Sequence, residues 1–157
     1  MDQLQGSLTI ETLGNKDDAS EIEKAQLGNK EHLSHLEVYF HEGDVEQRKG
    51  DEEIVKAMQP HQNLESLCIW DCHIGTTDSL YWIKFLHNLR KVDLNVWRFC
   101  EVLPPLGKLQ SLEILSIWWI CKLKKVGAEF LGREEETETV LSAGILFPKL
   151  KQLSFNA

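Results

Sequence analysis

The sequence lacks the short motifs that mark most secreted, membrane-spanning and catalytic proteins. Its first residues have neither the basic start nor the apolar run of a secretory signal, and no Asn-x-Ser/Thr glycosylation acceptor occurs. No stretch approaches the roughly 20 apolar residues that a membrane span needs. The phosphate-loop, nucleophile-elbow and His-Glu-x-x-His zinc motifs are absent as well. We therefore expect a cytoplasmic protein with no membrane span and no enzymatic activity.

Basic residues are also scarce in this chain. It has 17 Lys and Arg residues against 25 Asp and Glu residues, which gives a net charge of −8. Because the neutralisation of phosphates needs clustered Lys and Arg, this balance argues against a nucleic-acid partner. The four cysteines, in a chain without an export signal, are predicted to be reduced thiols.

Two short spacings contain candidate metal ligands. They are His32-x-x-His35 and Cys68-x-x-x-Cys72-His73. Neither belongs to a complete metal-ligand motif. Cys68 and Cys72 also lie on one predicted strand and turn, where a repeat pattern explains Cys72 as an inward structural residue. We therefore predict no metal and no cofactor in this chain.

What the sequence does contain is a short apolar pattern, L-x-x-L-x-L, repeated along nearly its whole length. In a curved solenoid the apolar positions of such a pattern point inward from a short strand. The predicted core residues of the repeats are Leu33, Leu36, Val38, Leu64, Leu67, Ile69, Leu89, Val92, Leu94, Leu112, Leu115, Ile117, Leu150, Leu153 and Phe155. Successive repeats start 31, 25, 23 and 38 residues apart. Two of these spacings fall in the usual range of roughly 20–29 residues, and two carry insertions.

Three further features define the repeat units. A weaker copy of the pattern opens the chain at Leu8 and Ile10, and the copy at residues 64–74 matches the longer consensus L-x-x-L-x-L-x-x-[NC]-x-L, with Cys72 pointing inward. The most regular unit is 103–117, in which the Leu103-Pro-Pro-Leu106 segment forbids a helix interior and suits a tight return arm. The predicted fold is an α/β solenoid, a leucine-rich repeat with a curved parallel β-sheet on the concave side and irregular loops and short helices on the convex side.

Local signals place helices and insertions between these strands. Capping and periodicity predict a helix over Asp17–Asn29 and a short helix over Asp51–Gln59, which Pro60 ends. Acidic residues dominate Glu42–Glu53 and Arg133–Glu138, which are predicted to be solvated insertions. Residues 1–157 therefore form a single region of about six irregular repeats. Because solenoids need polar caps and none is visible at the C-terminal end, we expect a fragment of a longer protein.

Side chains alternate along a strand, so the positions between the inward residues face the concave surface. Counting along each repeat, the seventh and eighth places bring aromatic residues to neighbouring strands. The predicted protein-binding residues are Tyr39, Phe40, Trp70, Asn95, Trp118 and Trp119. Exposed Trp and Tyr often dominate the energetics of interfaces. The alternative is that some of these side chains pack under insertions or against a domain outside this chain.

An ordered series of segments resembles the C-terminal repeats of plant disease resistance proteins of the coiled-coil, nucleotide-binding, leucine-rich repeat class. The matching segments include Gly6-Ser-Leu-Thr-Ile10, Asn63-Leu-Glu-Ser-Leu67, Leu103-Pro-Pro-Leu-Gly-Lys-Leu109, Ser111-Leu-Glu-x-Leu-x-Ile117, Val126-Gly-x-Glu-Phe130 and Phe147-Pro-Lys-Leu150. Together with shorter matches between them, they cover nearly the whole chain in family order.

The resemblance implies a recognition and autoinhibition module of a cytoplasmic innate immune receptor. Its implied partners are proteins: a pathogen effector, a guarded host protein or the receptor's own nucleotide-binding domain. In such a receptor ADP or ATP binds only to the nucleotide-binding domain, which this chain lacks along with the N-terminal signalling coiled coil.

Two other repeat classes fit the sequence less well. A ubiquitin-ligase substrate receptor or similar adaptor is expected to carry an F-box-like helical segment before the repeats, and none is visible. A cell-surface ectodomain is expected to show a signal peptide, glycosylation acceptors and paired capping cysteines, which are also lacking.

Overall fold

The computed structural model describes residues 4–12, 16–41, 50–75, 78–124, 126–128, 130–131 and 146–156. Its strands are β1 (Gly6–Thr12), β2 (Leu33–Phe40), β3 (Ser66–Trp70), β4 (Lys91–Asn95), β5 (Ile114–Trp118) and β6 (Gln152–Asn156). They form one sheet in sequence order, and every neighbouring pair is parallel. Parallel strands that neighbour one another in sequence order are the arrangement of a solenoid. The predicted leucine-rich repeat fold is therefore confirmed.

The inward face of the sheet carries the apolar core. Two rows of inward side chains lie in register across β2 to β5. One row is Leu36, Leu67, Val92 and Leu115, and the other is Val38, Ile69, Leu94 and Ile117. These residues and the other predicted core residues between Leu33 and Ile117, Cys72 included, are at most 1% exposed. Burial of this continuous apolar stripe is what holds neighbouring repeats together.

The last repeat departs from this pattern. Leu153 is 60% exposed, Phe155 is 46% exposed, and Leu150 is only half-buried. The prediction of Leu153 and Phe155 as core residues was wrong, although they lie in register with Leu115 and Ile117, whereas Leu150 does pack against the core. Among the described strands β6 pairs with β5 only, and no described residue covers its inward face, so the repeat pattern alone does not bury Leu153 and Phe155.

Two α-helices lie on the convex side of the first repeats. Helix α1 (Lys16–Ala25) is followed by a 3-10 turn, Leu27–Asn29, because Gln26 adopts a left-handed conformation with φ of 48°. Helix α2 (Asp51–Met58) packs against α1 and buries its predicted apolar face of Ile54, Val55 and Met58. Helix α2 falls within its predicted segment, and α1 begins one residue before its predicted segment and ends four residues earlier. Of the first acidic insertion, residues 42–49 lie outside the described residues, as does the whole of Arg133–Glu138.

Tryptophan side chains tie the irregular arms to the framework. Trp82, in the 3-10 segment Asp78–Phe85, donates its indole N–H to the carbonyl of Val55 at 2.9 Å. Trp97 occupies the Asn/Cys place of its repeat, is fully buried, and donates to the carbonyl of Ile69 at 3.3 Å. The two indoles thereby give hydrogen-bond partners to a carbonyl of α2 and a carbonyl of β3.

Gly107 explains the sequence of the Pro-Pro arm. Its amide donates to the carbonyl of Phe130 at 2.9 Å, and its own carbonyl accepts from the amide of Phe147 at 2.8 Å. A Cβ at this position would lie 2.7 Å from the Cα of Leu131. Only glycine allows the following segment to approach the arm so closely.

Candidate protein-binding surface

The concave face of the sheet presents its outward side chains in rows. One row runs across all six strands through Glu11, Tyr39, Trp70, Asn95, Trp118 and Asn156. The register therefore brings together four of the predicted binding residues, Tyr39, Trp70, Asn95 and Trp118. Tyr39, Trp70 and Trp118 are half-buried, whereas Asn95 is buried. That they bind a partner stays a prediction.

Tyr39 and Trp70 contact each other directly within this row. Their rings stack with centroids 5.8 Å apart and planes inclined by 12°. The Tyr39 hydroxyl donates to Oε1 of Glu37 at 2.7 Å, and this hydrogen bond, with burial adding to it, raises the pKa of Tyr39 to about 12. The phenol is therefore neutral at physiological pH and offers a ring face beside a carboxylate.

A second row lies next to the first, two residues earlier in each strand. It runs through Thr9, Glu37, Cys68, Asp93, Ser116 and Ser154. Within it, Asp93 accepts a hydrogen bond from the side-chain amide of Asn95. Burial raises the pKa of the Cys68 thiol to about 12, and the Asp93 carboxylate adds to this effect. Cys68 is therefore a neutral thiol and not a nucleophile.

A shallow groove of about 380 Å³ opens on the first four strands, over this second row and the row two residues earlier, which is Ser7, His35, Ser66 and Lys91. Its walls include Glu37, Trp70 and Asp93, and Cys68 forms part of its floor. Glu37, Cys68 and Asp93 were not among the predicted surface residues. The signal was present, because these residues occupy the fifth place of their repeats, and that place shares its face with the seventh.

Phe40 does not belong to this surface. It is 3% exposed and belongs to the apolar core, so its prediction as a binding residue was wrong. Strand β2 continues to Phe40 and pairs there with Thr12. Because side chains alternate along a strand, the residue after Tyr39 must point to the inward face.

The other eighth places behave differently from Phe40. Asp71, Val96 and Trp119 all have positive φ, at 54°, 59° and 62°. In each case the amide donates to the carbonyl at the seventh place of the next strand, over 2.8 Å, 3.0 Å and 2.7 Å respectively. This conformation ends the strand and turns the side chain away from the alternating pattern. At Trp119 it leaves the indole 65% exposed.

The described residues give no sign of catalytic chemistry. Among them, no group of three or more His, Cys, Asp or Glu side chains is arranged to hold a metal ion. Burial raises the pKa of the Cys100 thiol to about 11, so that this cysteine, like Cys68, is protonated at neutral pH. No helix in the described part of the chain is long and apolar enough to cross a membrane. The concave face offers aromatic rings and carboxylates that are held by hydrogen bonds.

Comparison with known proteins gives a consistent picture. The family described as R13L1/DRL21 leucine-rich repeats matches residues 1–120. A disease resistance protein of Arabidopsis thaliana is 30% identical over 163 aligned residues, covering 99% of this chain and 11% of the relative. The disease resistance protein RGA2 of Solanum bulbocastanum is 26% identical over 155 aligned residues, which cover 96% of this chain and 15% of the relative. This chain thus spans a small part of each relative. No solved structure matches it significantly.

Proposed function

Because the chain belongs to the family of R13L1/DRL21 leucine-rich repeats, we propose that it is the protein-recognition region of an intracellular plant immune receptor. The two relatives named as disease resistance proteins support this role. In this proposal the chain acts in the cytoplasm, binds proteins, and leaves nucleotide binding to another domain. It also restrains the receptor until a pathogen effector, or a host protein that an effector has altered, is bound.

The observation that carries the proposal is the aromatic row at the ends of the concave strands. Tyr39, Trp70 and Trp118 lie on neighbouring or near-neighbouring strands, and Trp119 extends the row into solvent. Tryptophan and tyrosine are the residues that most often supply binding energy at interfaces, where truncation of one such residue costs about 2 kcal/mol or more. A rigid sheet presents them without an ordering cost.

The test uses the receptor that contains this region, expressed in plant leaves with and without its pathogen. A Trp118→Ala, Trp119→Gly double variant removes the exposed end of the aromatic row. The matched control is Phe85→Ala, an aromatic residue that is 54% exposed on a return arm, away from the concave strands.

The double variant is expected to lose the pathogen-dependent response, or to respond without a pathogen if the row holds the nucleotide-binding domain. The Phe85 variant is expected to behave as the unaltered receptor does. A double variant with unchanged expression, unchanged response and unchanged resting state would contradict the proposal.

A further inference from the structure

The geometry points to an arginine side chain of the partner as the occupant of the concave groove, held between the carboxylates of Glu37 and Asp93. This inference rests on the proposed function insofar as the partner is a protein. It adds the chemistry by which that partner is recognised, and it concerns residues other than the exposed tryptophans.

The two carboxylates stand on either side of one small residue. Glu37, Cys68 and Asp93 are in direct register on β2, β3 and β4, and all three face the concave side. Neighbouring strands are about 4.8 Å apart, which places the two acidic strands about 10 Å apart. A planar guanidinium centred over Cys68 fits this interval, with one edge toward each carboxylate.

Both carboxylates are held in place by neutral donors of their own strands. The hydroxyl of Tyr39 donates to Glu37 at 2.7 Å, and the amide of Asn95 donates to Asp93. These bonds orient the carboxylates without neutralising them. Positions that are fixed before binding lower the ordering cost when a ligand arrives.

No ion pair within 4 Å neutralises these carboxylates among the described residues, although Lys91 lines the same groove. Both Glu37 and Asp93 are half-buried. Glu113, on the rim of the sheet, contrasts with them because it pairs with Arg90 at 3.0 Å and with Lys151 at 2.9 Å. A half-buried carboxylate gains more from a cation than an exposed one does, since the local dielectric is lower.

The floor and one wall of the groove suit the rest of an arginine side chain. The Cys68 thiol is neutral, so that the floor carries no charge that would compete with the two carboxylates. Trp70 lines the groove and stacks on Tyr39, which leaves an aromatic surface for a guanidinium or its aliphatic stem. A volume of about 380 Å³ is at the low end for ligand pockets, which fits a side chain and not a folded domain.

Arginine fits this site better than lysine does. Its guanidinium has five N–H donors in a fixed plane and bonds two carboxylates at once, whereas an ammonium acts as a point charge. Lys91 and His35 line the same groove in the next row. The uncharged part of the partner is expected on the side of the groove where Lys91 and His35 lie. This fixes the direction in which the arginine side chain enters the groove.

The test measures binding of the tripeptide acetyl-Gly-Arg-Gly-amide to the full 157-residue chain by NMR titration. The matched probe is the same peptide with citrulline, which has the shape of arginine but no charge. The matched variants are Glu37→Gln with Asp93→Asn in the groove and Glu52→Gln with Glu101→Gln on other surfaces.

The arginine peptide is expected to shift the Trp70 indole N–H signal in a saturable way. The citrulline peptide and the groove variant should bind about tenfold more weakly or worse, the loss that corresponds to one charge-assisted hydrogen bond. The Glu52, Glu101 variant should bind as the unaltered chain does. Equal binding of the two peptides, or full binding by a correctly folded groove variant, would overturn the inference.

The outcome separates this inference from the proposed function. A Trp118, Trp119 variant keeps the groove, and is therefore expected to bind the arginine peptide normally while the receptor response is lost. If the receptor depends on the tryptophans but the peptide does not bind, only the arginine site is refuted. If the peptide binds but the receptor ignores the tryptophan variant, only the proposed function is refuted.

Discussion

The adjacent residues Trp118 and Trp119 should respond in opposite ways to the same pair of substitutions. Trp118 is the last residue of β5, whereas Trp119 has φ of 62°. A left-handed backbone costs a residue with a Cβ about 1–2 kcal/mol and costs glycine almost nothing. Against this, glycine gives the unfolded chain more freedom, which lowers the stability of the folded state by about 0.5–1 kcal/mol relative to alanine.

At Trp119 the relief of backbone strain exceeds the loss from the unfolded state. The variant Trp119→Gly should therefore be more stable than Trp119→Ala by about 0.5–1 kcal/mol. At Trp118 there is no strain to relieve, so that Trp118→Gly should be less stable than Trp118→Ala by about 0.5–1 kcal/mol. Comparing Gly with Ala at one position removes the lost indole contacts from the difference.

Equilibrium unfolding in urea, followed by circular dichroism, measures all four variants on one scale. The midpoints are comparable provided that the slope of free energy against urea stays constant. We expect the Gly variant to be more stable than the Ala variant at position 119 and less stable than it at position 118. The same order at both positions, with Ala above Gly, would refute the left-handed conformation of Trp119 and with it the account of its exposure.

Two further predictions concern the framework and its response to pH. Gly107→Ala should lower the free energy of unfolding by about 1–3 kcal/mol, because the new Cβ would meet the Leu131 backbone at 2.7 Å. Gly75→Ala is the control, because its new Cβ would lie in open space, and it should change the free energy of unfolding by less than about 0.5 kcal/mol. Equal effects of the two variants in urea unfolding would contradict this prediction. Hydrogen bonds, that from Lys151 above all, lower the pKa of Glu113 from the ordinary 4.5, so its contribution to stability is complete above pH 4.5 and is lost as the pH falls toward the lowered value. Glu113→Gln should remove that part of the acid dependence of unfolding, and an unchanged pH profile would show that the bonds do not matter.

The sequence alone predicted the repeat framework, because the L-x-x-L-x-L spacing coincides with the alternation of side chains along a strand. The L-x-x-L-x-L spacing fixes which strand residues face inward, and the structure buries them from Leu33 to Ile117. The same rule placed Tyr39, Trp70 and Trp118 on the concave face, where register aligns them. Alternation along a strand needs no knowledge of tertiary contacts, so residues within regular strands were predictable.

What escaped prediction depends on where strands end and on what covers them. Phe40 was predicted to face outward because the repeat pattern does not predict the length of β2. When β2 continues by one more paired residue, the side chain of that residue points to the inward face. Leu153 and Phe155 follow the pattern but lack a cover in the described chain. The carboxylates at Glu37 and Asp93 were visible in the sequence, yet only the register shows that they flank one thiol.

The left-handed residues at the ends of β3, β4 and β5 connect the framework to the surface. Their side chains, Asp71, Val96 and Trp119, have nothing in common, while their backbones form the same hydrogen bond to the next strand. The ladder therefore imposes the conformation, and that bond, worth about 1 kcal/mol, offsets much of its cost. Asp71 contacts His73 at 3.6 Å and Val96 is half-buried, whereas the Trp119 side chain forms no hydrogen bond, ion pair or ring contact with any described residue. The backbone strain at Trp119 therefore has the same cause as at Asp71 and Val96, and that its exposed indole binds a partner stays a prediction.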